Sequence, residues 1–262
     1  MEIITTLGTI YGAKRLIPIS SVQIAGVSYH NLGEAGLEYL DEMAEDGTTQ
    51  VLTTLNPAGM DLEEWKKHGI SEDFAENQKR VVEAFSKMGV VTTCTCTPYL
   101  IGNLPHYGEH IAWAESSAVC FANSVIGART NREGGPSALA AALTGRTAEY
   151  GLHLDDNRNA EIAYSVEASI DNTDDFGLLG QVIGERTGNK IPYITGIQHA
   201  TTEELKSFGA SVATFGGVAI YHMEGITPNR TTIPEKEEIV TQEDIDSARV
   251  KLDDEDADVD FI

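Results

Sequence analysis

The residues best suited to chemistry are concentrated between Cys96 and Arg146. Cys96-Thr97-Pro98-Tyr99 leads into a polar, lysine-free loop, Gly102-Asn103-Leu104-Pro105-His106-Tyr107-Gly108-Glu109-His110. A helix is predicted to open near Glu115-Ser116-Ser117 and to close at Gly127. In an opening helical turn the backbone amides lack intrahelical partners and the macrodipole favours anions. A second helix start follows at Gly134-Gly135-Pro136-Ser137, with Arg129 and Arg132 just before it. Glycine lets backbone approach a ligand, and arginine grips a carboxylate or phosphate bidentately. Together these residues point to a small anionic substrate. Plainer readings stand beside this one: serines as helix caps, arginines paired with neighbouring acids, and a glycine pair that serves packing.

The chain around this cluster has 262 residues, enough for one large domain or two lobes. Its 41 acidic residues outnumber 18 basic ones, giving a net charge of −23. Such a surface repels phosphate backbones and anionic lipids, so neither nucleic acid nor membrane is expected as a partner. A working environment of high salt would screen the self-repulsion. No apolar run approaches the roughly 20 residues of a membrane span, and Met1-Glu2-Ile3-Ile4 lacks the basic region of a signal peptide. A cytoplasmic location is expected. Cys94, Cys96 and Cys120 are too few for a disulfide framework. A buried, inert thiol is the ordinary reading for each. Phosphate loops, the three-glycine dinucleotide fingerprint, paired zinc-binding histidines and the nucleophile elbow are all lacking from the sequence.

The elements that must position these groups alternate. Leu16 to Val22 reads as a strand, followed by the turn-prone Ala25-Gly26-Val27-Ser28 and a helix capped by Asn31, with Leu32, Leu37, Leu40 and Met43 on one face. Gln50 to Leu55 reads as a strand stopped by Asn56-Pro57-Ala58-Gly59. Ser71 to Met88 reads as a helix with the stripe Phe74, Val81, Val82, Phe85 and Met88, and Val90 to Thr95 as the next strand. Pro136 to Gly145 has proline in the first turn and glycine at the stop. Thr201 with Glu204, and less regularly Thr241 with Asp244, resemble capping boxes. Strands are also expected at Gly216 to Met223 and at Val259 to Ile262. The alternation predicts an α/β fold. Physical reading alone stops at an α/β enzyme with an anion site around residues 96–146.

Several segments, taken in order, resemble the large subunit of the aconitase X family. They are Ile19-Ser20-Ser21-Val22-Gln23-Ile24-Ala25-Gly26-Val27-Ser28, Thr54-Leu55-Asn56-Pro57-Ala58-Gly59-Met60-Asp61, and Cys96-Thr97-Pro98-Tyr99. Gly108-Glu109-His110-Ile111-Ala112-Trp113-Ala114-Glu115-Ser116-Ser117-Ala118 and Ala128-Arg129-Thr130-Asn131-Arg132-Glu133-Gly134-Gly135-Pro136-Ser137-Ala138-Leu139 continue the series. The resemblance implies an aconitase-like catalytic core of alternating helices and strands, with residues 1–262 forming a partial catalytic domain. It implies a dehydratase that removes water from a hydroxylated small acid: (R)-5-phosphomevalonate in one branch, cis-3-hydroxy-L-proline in another. The first, an archaeal step towards isoprenoids that yields trans-anhydromevalonate 5-phosphate, is expected here.

Residue by residue, the resemblance assigns substrate contacts to Gly26, Val27, Ser28, Asn56, Pro57, Ser116 and Ser117. It assigns Cys96 as one ligand of an iron–sulfur cluster of 4Fe–4S type, whose iron would act as a Lewis acid on the departing hydroxyl while a base, unidentified here, takes the neighbouring proton. Cys94 and Cys120 fall outside the ligand pattern and are expected to be packed thiols. The remaining cluster cysteines and a substrate-binding lysine are expected beyond Ile262, and a helical extension before Ile3. The chain therefore reads as a fragment truncated at both ends and inactive by itself, since one cysteine cannot hold a cluster. A separate small subunit is implied as a heterodimer partner. A non-catalytic anion-binding module is the reading from a different class.

Overall fold

Parallel strands with helical crossovers build two separate sheets. The computed structural model describes the backbone of residues 1–257 and side chains through residue 251. The strand expected at Val259 to Ile262 lies outside the described residues. The chain divides into two compact units, one of Met1–Ala118 with Arg129–His153 and one of Val119–Ala128 with Leu154 onward.

In chain order the first unit holds α1 (Glu2–Ile10), β1 (Leu16–Pro18), β2 (Ser21–Ala25), α2 (Tyr29–Asp46), β3 (Leu52–Asn56), α3 (Glu72–Lys87) and β4 (Ala112–Trp113). Then come the start of α4 (Ser116–Phe121), α5 (Gly135–Thr144) and β5 (Arg146–Ala148). The expected single strand from Leu16 to Val22 is two. Residues of β1 pair antiparallel with β5, whereas β2 lies parallel between β3 and β4. Between them the chain changes partners, with Ile19 N–H donating to Gly145 O and Ser20 N–H to His110 O.

Every residue of β2 is buried. Val22 and Ile24 enter a core with Leu37 and Leu40 of α2, Leu55 of β3, and Val81, Ala84 and Phe85 of α3. Helix α3 starts as predicted, with Ser71 Oγ accepting from Phe74 N–H at 3.3 Å, and acidic residues open it while Lys87 closes it. Helix α2 differs from expectation. It begins at Tyr29, and Asn31 caps nothing, since its Nδ2 donates back to Gly26 O at 3.3 Å. A kink at Gly33, with φ of 60°, lets the apolar face turn towards the sheet.

The strand predicted from Val90 to Thr95 shrinks to one parallel bridge between Val91 and Thr54. Cys94 N–H donates to Leu55 O, and the left-handed φ of 52° at Cys94 then takes the chain out of the sheet. On the other side of β4, parallel bridges join His110 to Arg129 and Trp113 to Arg132. Across the sheet the segments therefore run Val91, β3, β2, β4, Arg129–Arg132. Numbered by chain position, that order is 3-2-1-4-5, the doubly wound arrangement with its switch point between β2 and β4.

In the second unit a π-helical turn (Ala122–Ile126) continues α4 and ends at Gly127. The buried Arg158 guanidinium donates to Asn123 Oδ1, Asn123 O and Ala128 O, satisfying carbonyls that this irregular turn leaves over. Then follow β6 (Ile162–Val166), α6 (Thr173–Thr187), β7 (Pro192–Thr195), α7 (Thr202–Gly216), β8 (His222–Met223), β9 (Glu237–Val240) and α8 (Gln242–Ala257). Their sheet is parallel, ordered β8-β7-β6-β9. Both expected capping boxes form. Thr201 and Glu204 exchange bonds of 2.6 and 3.3 Å, and the shorter Asp244 still reaches Thr241 N–H at 2.8 Å. The strand predicted from Gly216 keeps only His222–Met223, because α7 runs to Gly216.

Glycines set the α6–α7 spacing. A Cβ on Gly180 would lie 2.7 Å from Phe208 O and 2.8 Å from Ser211 Cβ. Gly180→Val is expected to destabilise the protein by about 2–3 kcal/mol through forced separation of these helices, read as a lowered urea midpoint by circular dichroism.

Candidate functional site

Parallel pairing fixes where each candidate residue emerges. Ala25 lies opposite Asn56, and Gln23 lies opposite both Thr54 and Trp113, so β2, β3 and β4 end at the same edge. Gly26-Val27-Ser28 leaves β2 there, Asn56-Pro57 leaves β3, and Glu115-Ser116-Ser117 follows β4. The switch point between β2 and β4 lies at this edge, the usual ligand position in such sheets. The seven residues assigned to substrate therefore arise on three adjacent turns. Val27 and Pro57 are buried, as is Ser28 at 5% exposure, so these turns can offer mainly backbone and hydroxyl groups. Asn56, Ser116 and Ser117 are half-buried, and Gly26 is exposed.

A polar frame joins the turns. Glu115 Oε2 accepts from Asn56 Nδ2 at 3.0 Å, linking the second turn to the third. Glu115 N–H in turn donates to Gln23 Oε1 at 3.0 Å, fixing the entry to α4 over the middle of β2. Asn103 donates to Val22 O at 3.1 Å and Thr54 Oγ1 at 3.0 Å. Beside Ser28, a cavity of about 520 Å³ is lined by His30, Gly59, Gly69, Ile70, Ser71 and Phe74.

Gln23, Gln78 and His30 are not among the candidate functional residues of the sequence. For the two glutamines a signal existed: Gln23 interrupts an apolar strand and Gln78 sits on the apolar stripe of α3, each a polar group where only a partnered one is tolerated.

Arg129 Nη1 donates to the carbonyl of His153 at 3.1 Å, so this guanidinium ties down a loop. Arg132 is exposed. Gly135 serves packing, since a Cβ there would meet Val27 Cγ1 at 2.6 Å. His110 stands at the amino end of β4, opposite the edge with the three turns, and its Nδ1 lies 3.0 Å from His153 Nδ1.

Cys96 follows the turn at Cys94, whose N–H donates to Leu55 O near the carboxyl end of β3, and its thiol is exposed. Cys120 is buried as expected, but Cys94 is not a packed thiol: it is exposed on the turn its left-handed backbone makes, where partial burial still raises its pKa. Among the described residues, no three His, Cys, Asp or Glu side chains gather to hold a metal ion. Even with both exposed thiols, Cys94 and Cys96, the described residues offer an iron–sulfur cluster too few donors, so they do not fit the group by themselves.

The aconitase X first-domain profile matches residues 1–156, and the aconitase X second-domain profile matches residues 160–259. The chain belongs to the aconitase X family. The boundary between the two aconitase X domains falls near the division between the two compact units.

Among relatives, the phosphomevalonate dehydratase large subunit of Methanothermobacter thermautotrophicus is 55% identical over 229 residues, covering 87% of this chain and 57% of the relative. A cis-3-hydroxy-L-proline dehydratase of Hypocrea jecorina is 36% identical, covering 89% and 40%. The crystal structure of Thermococcus kodakaraensis aconitase X in its holo-form superposes with a TM-score of 0.87 at 48% identity, covering 95% of this chain and 64% of that one. The aconitase X chain here thus spans less than two thirds of the length of each. Among its described residues, no helix is long and apolar enough to cross a membrane.

Two outcomes test this geometry. Native iodoacetamide is expected to alkylate Cys94 and Cys96 and to spare Cys120 until the protein unfolds, as mass spectrometry will read. The second concerns Glu133, which is buried, accepts from Ser137 Oγ at 2.5 Å, and has its carboxyl pKa raised by burial. Its favourable protonated form contributes fully below the unfolded carboxyl pKa, and the contribution is lost as pH rises through the raised folded value. Glu133→Gln is expected to gain melting temperature relative to the parent once pH rises above the ordinary carboxylate range, with the difference growing as pH rises towards the raised folded value.

Proposed function

We propose that this chain is the main part of the large subunit of a dehydratase that acts on (R)-5-phosphomevalonate, yielding trans-anhydromevalonate 5-phosphate. The observation that carries the substrate choice is the contrast between 55% identity to a phosphomevalonate dehydratase large subunit and 36% to a cis-3-hydroxy-L-proline dehydratase. The adjacency of three turns at one sheet edge supports a single substrate crevice.

In this reading, backbone groups of Gly26, Val27 and Ser28 and of Asn56 and Pro57 form one wall. The Ser116 and Ser117 hydroxyls and nearby amides hold an anionic end of the substrate. The Asn56 amide is kept in place by Glu115. These groups orient the hydroxyl and the proton to be lost and restrict water.

The family resemblance adds an iron–sulfur cluster, whose chemistry is Lewis-acid activation of a hydroxyl. Cys96 would give it one thiolate, and further ligands would come from outside these 262 residues. The relative's name, a large subunit, supports a smaller partner subunit for this chain too.

The test uses the full-length protein assembled with that partner, offered each substrate while alkene absorbance is followed. Water loss from phosphomevalonate is expected, with kcat/KM at least about 100-fold above that for hydroxyproline. Faster turnover of hydroxyproline, or of neither compound, overturns the proposal. Ser117→Ala is expected to lower kcat/KM about 10-fold, the usual scale for one lost hydrogen bond to a charged group.

A further inference from the structure

Gln78 is the one polar side chain on the buried face of α3, and it is fully buried. It touches none of the seven residues assigned to substrate through a hydrogen bond, yet it bonds to the flanks of two of the three turns. Gln78 Oε1 accepts from Tyr29 N–H at 2.7 Å, one residue after Ser28. Gln78 Nε2 donates to Ala58 O at 3.1 Å, one residue after Pro57. Ala58 holds a left-handed φ of 54°, a conformation that a residue with a Cβ keeps only when its surroundings impose it. The two turns also approach closely: a Cβ on Gly59 would lie 3.0 Å from Ser28 Cβ and 3.3 Å from Gln78 Oε1.

From this geometry we infer that Gln78 is a positioning residue that clamps the Gly26–Ser28 turn to the Asn56–Pro57 turn and so sets the width of the substrate crevice. The inference rests on the reading of those turns as substrate-binding. An amide suits the task because it donates and accepts in one plane, matching one N–H and one carbonyl. Neither a hydrophobic residue nor a carboxylate can do both. Without the clamp, the turns spread over several arrangements, and apparent substrate affinity falls by the fraction that remains competent.

Two variants of the full-length enzyme test this, with hydrogen exchange at the Tyr29 amide measured beside steady-state kinetics. Gln78→Leu keeps the volume and loses both bonds. It is expected to raise KM about 10-fold while kcat changes less than about 3-fold, and to speed Tyr29 exchange about 10-fold. Gln78→Glu is expected to match Gln78→Leu at about pH 8, where the carboxylate faces the Ala58 carbonyl. Near pH 5.5 it should move back towards the parent, because burial at this position raises the introduced carboxyl's pKa and its protonated form again donates to Ala58 and accepts from Tyr29. Parental KM and parental Tyr29 exchange in Gln78→Leu would overturn the clamp, as would a Gln78→Glu defect that ignores pH. If the parent fails to turn over phosphomevalonate, the function proposed above falls, and the exchange measurement still decides the clamp.

Discussion

Parallel pairing on both sides of β2 is the constraint on which the first unit depends. A strand flanked in this way cannot leave the sheet sideways. Its five residues are buried, its exit turn lies beside those of β3 and β4, and helices must cover the face that Val22 and Ile24 present. The same pairing defines the switch point, since β2 is followed in one direction by β3 and in the other by β4, which comes much later in the chain. Crossover helices α2 and α3 lead one way, the segment after β4 leads the other, and the crevice between them follows from topology.

That central position makes the polar residues near it informative. Burying an amide costs free energy unless its groups are partnered. Gln23, Gln78 and Asn103 each use bonds to join segments far apart in the chain: β2 to the start of α4, α3 to two turns, and the Gly102–His110 loop to β2 and β3. Such groups specify one arrangement of the turns, where apolar packing alone would accept several. Gln23 Nε2 and Asn103 Oδ1 are buried without a hydrogen-bond partner among the described residues.

The elements with strong local signals were legible in the sequence. Ser71, the acidic first turn and Gly89 bounded α3 closely; Pro136 and Gly145 bounded α5; Thr201 and Glu204 began α7. The misreadings share a cause, which is that the deciding partner is distant. Leu16 to Val22 is uniformly β-forming, and only the change from β5 to β3 and β4 as partners divides it. Val90 to Thr95 is β-branched, but a single bridge to Thr54 and the turn at Cys94 override that propensity. Asn31 has a cap's chemistry, yet the Gly26 carbonyl claims its amide. For the candidate site, motif resemblance supplied the residues, and composition or periodicity would have stopped at the Cys96–Arg146 stretch. The register that sets three separate turns side by side is a long-range property that no local window contains.

Charge gives the last constraint on how such a crevice could hold an anion. The chain carries 41 acidic and 18 basic residues, and much of the basic complement is committed at the periphery. Arg15 pairs with Glu149, Arg80 with Asp41, Arg186 with Asp244 and Arg249 with Asp175. Exposed pairs of this kind add little stability, but they remove cations that could otherwise draw an anion to the wrong place. The turns Gly26–Ser28, Asn56–Pro57 and Ser116–Ser117 contain no lysine or arginine at all. Recognition there would fall to neutral donors, meaning backbone amides, the Asn56 amide and serine hydroxyls, whose strength depends on fixed direction more than on net charge. Neutral donors work only when held in place. If these turns bind substrate, the bonds of Gln23 to Glu115 and of Gln78 to Tyr29 and Ala58 would meet that requirement.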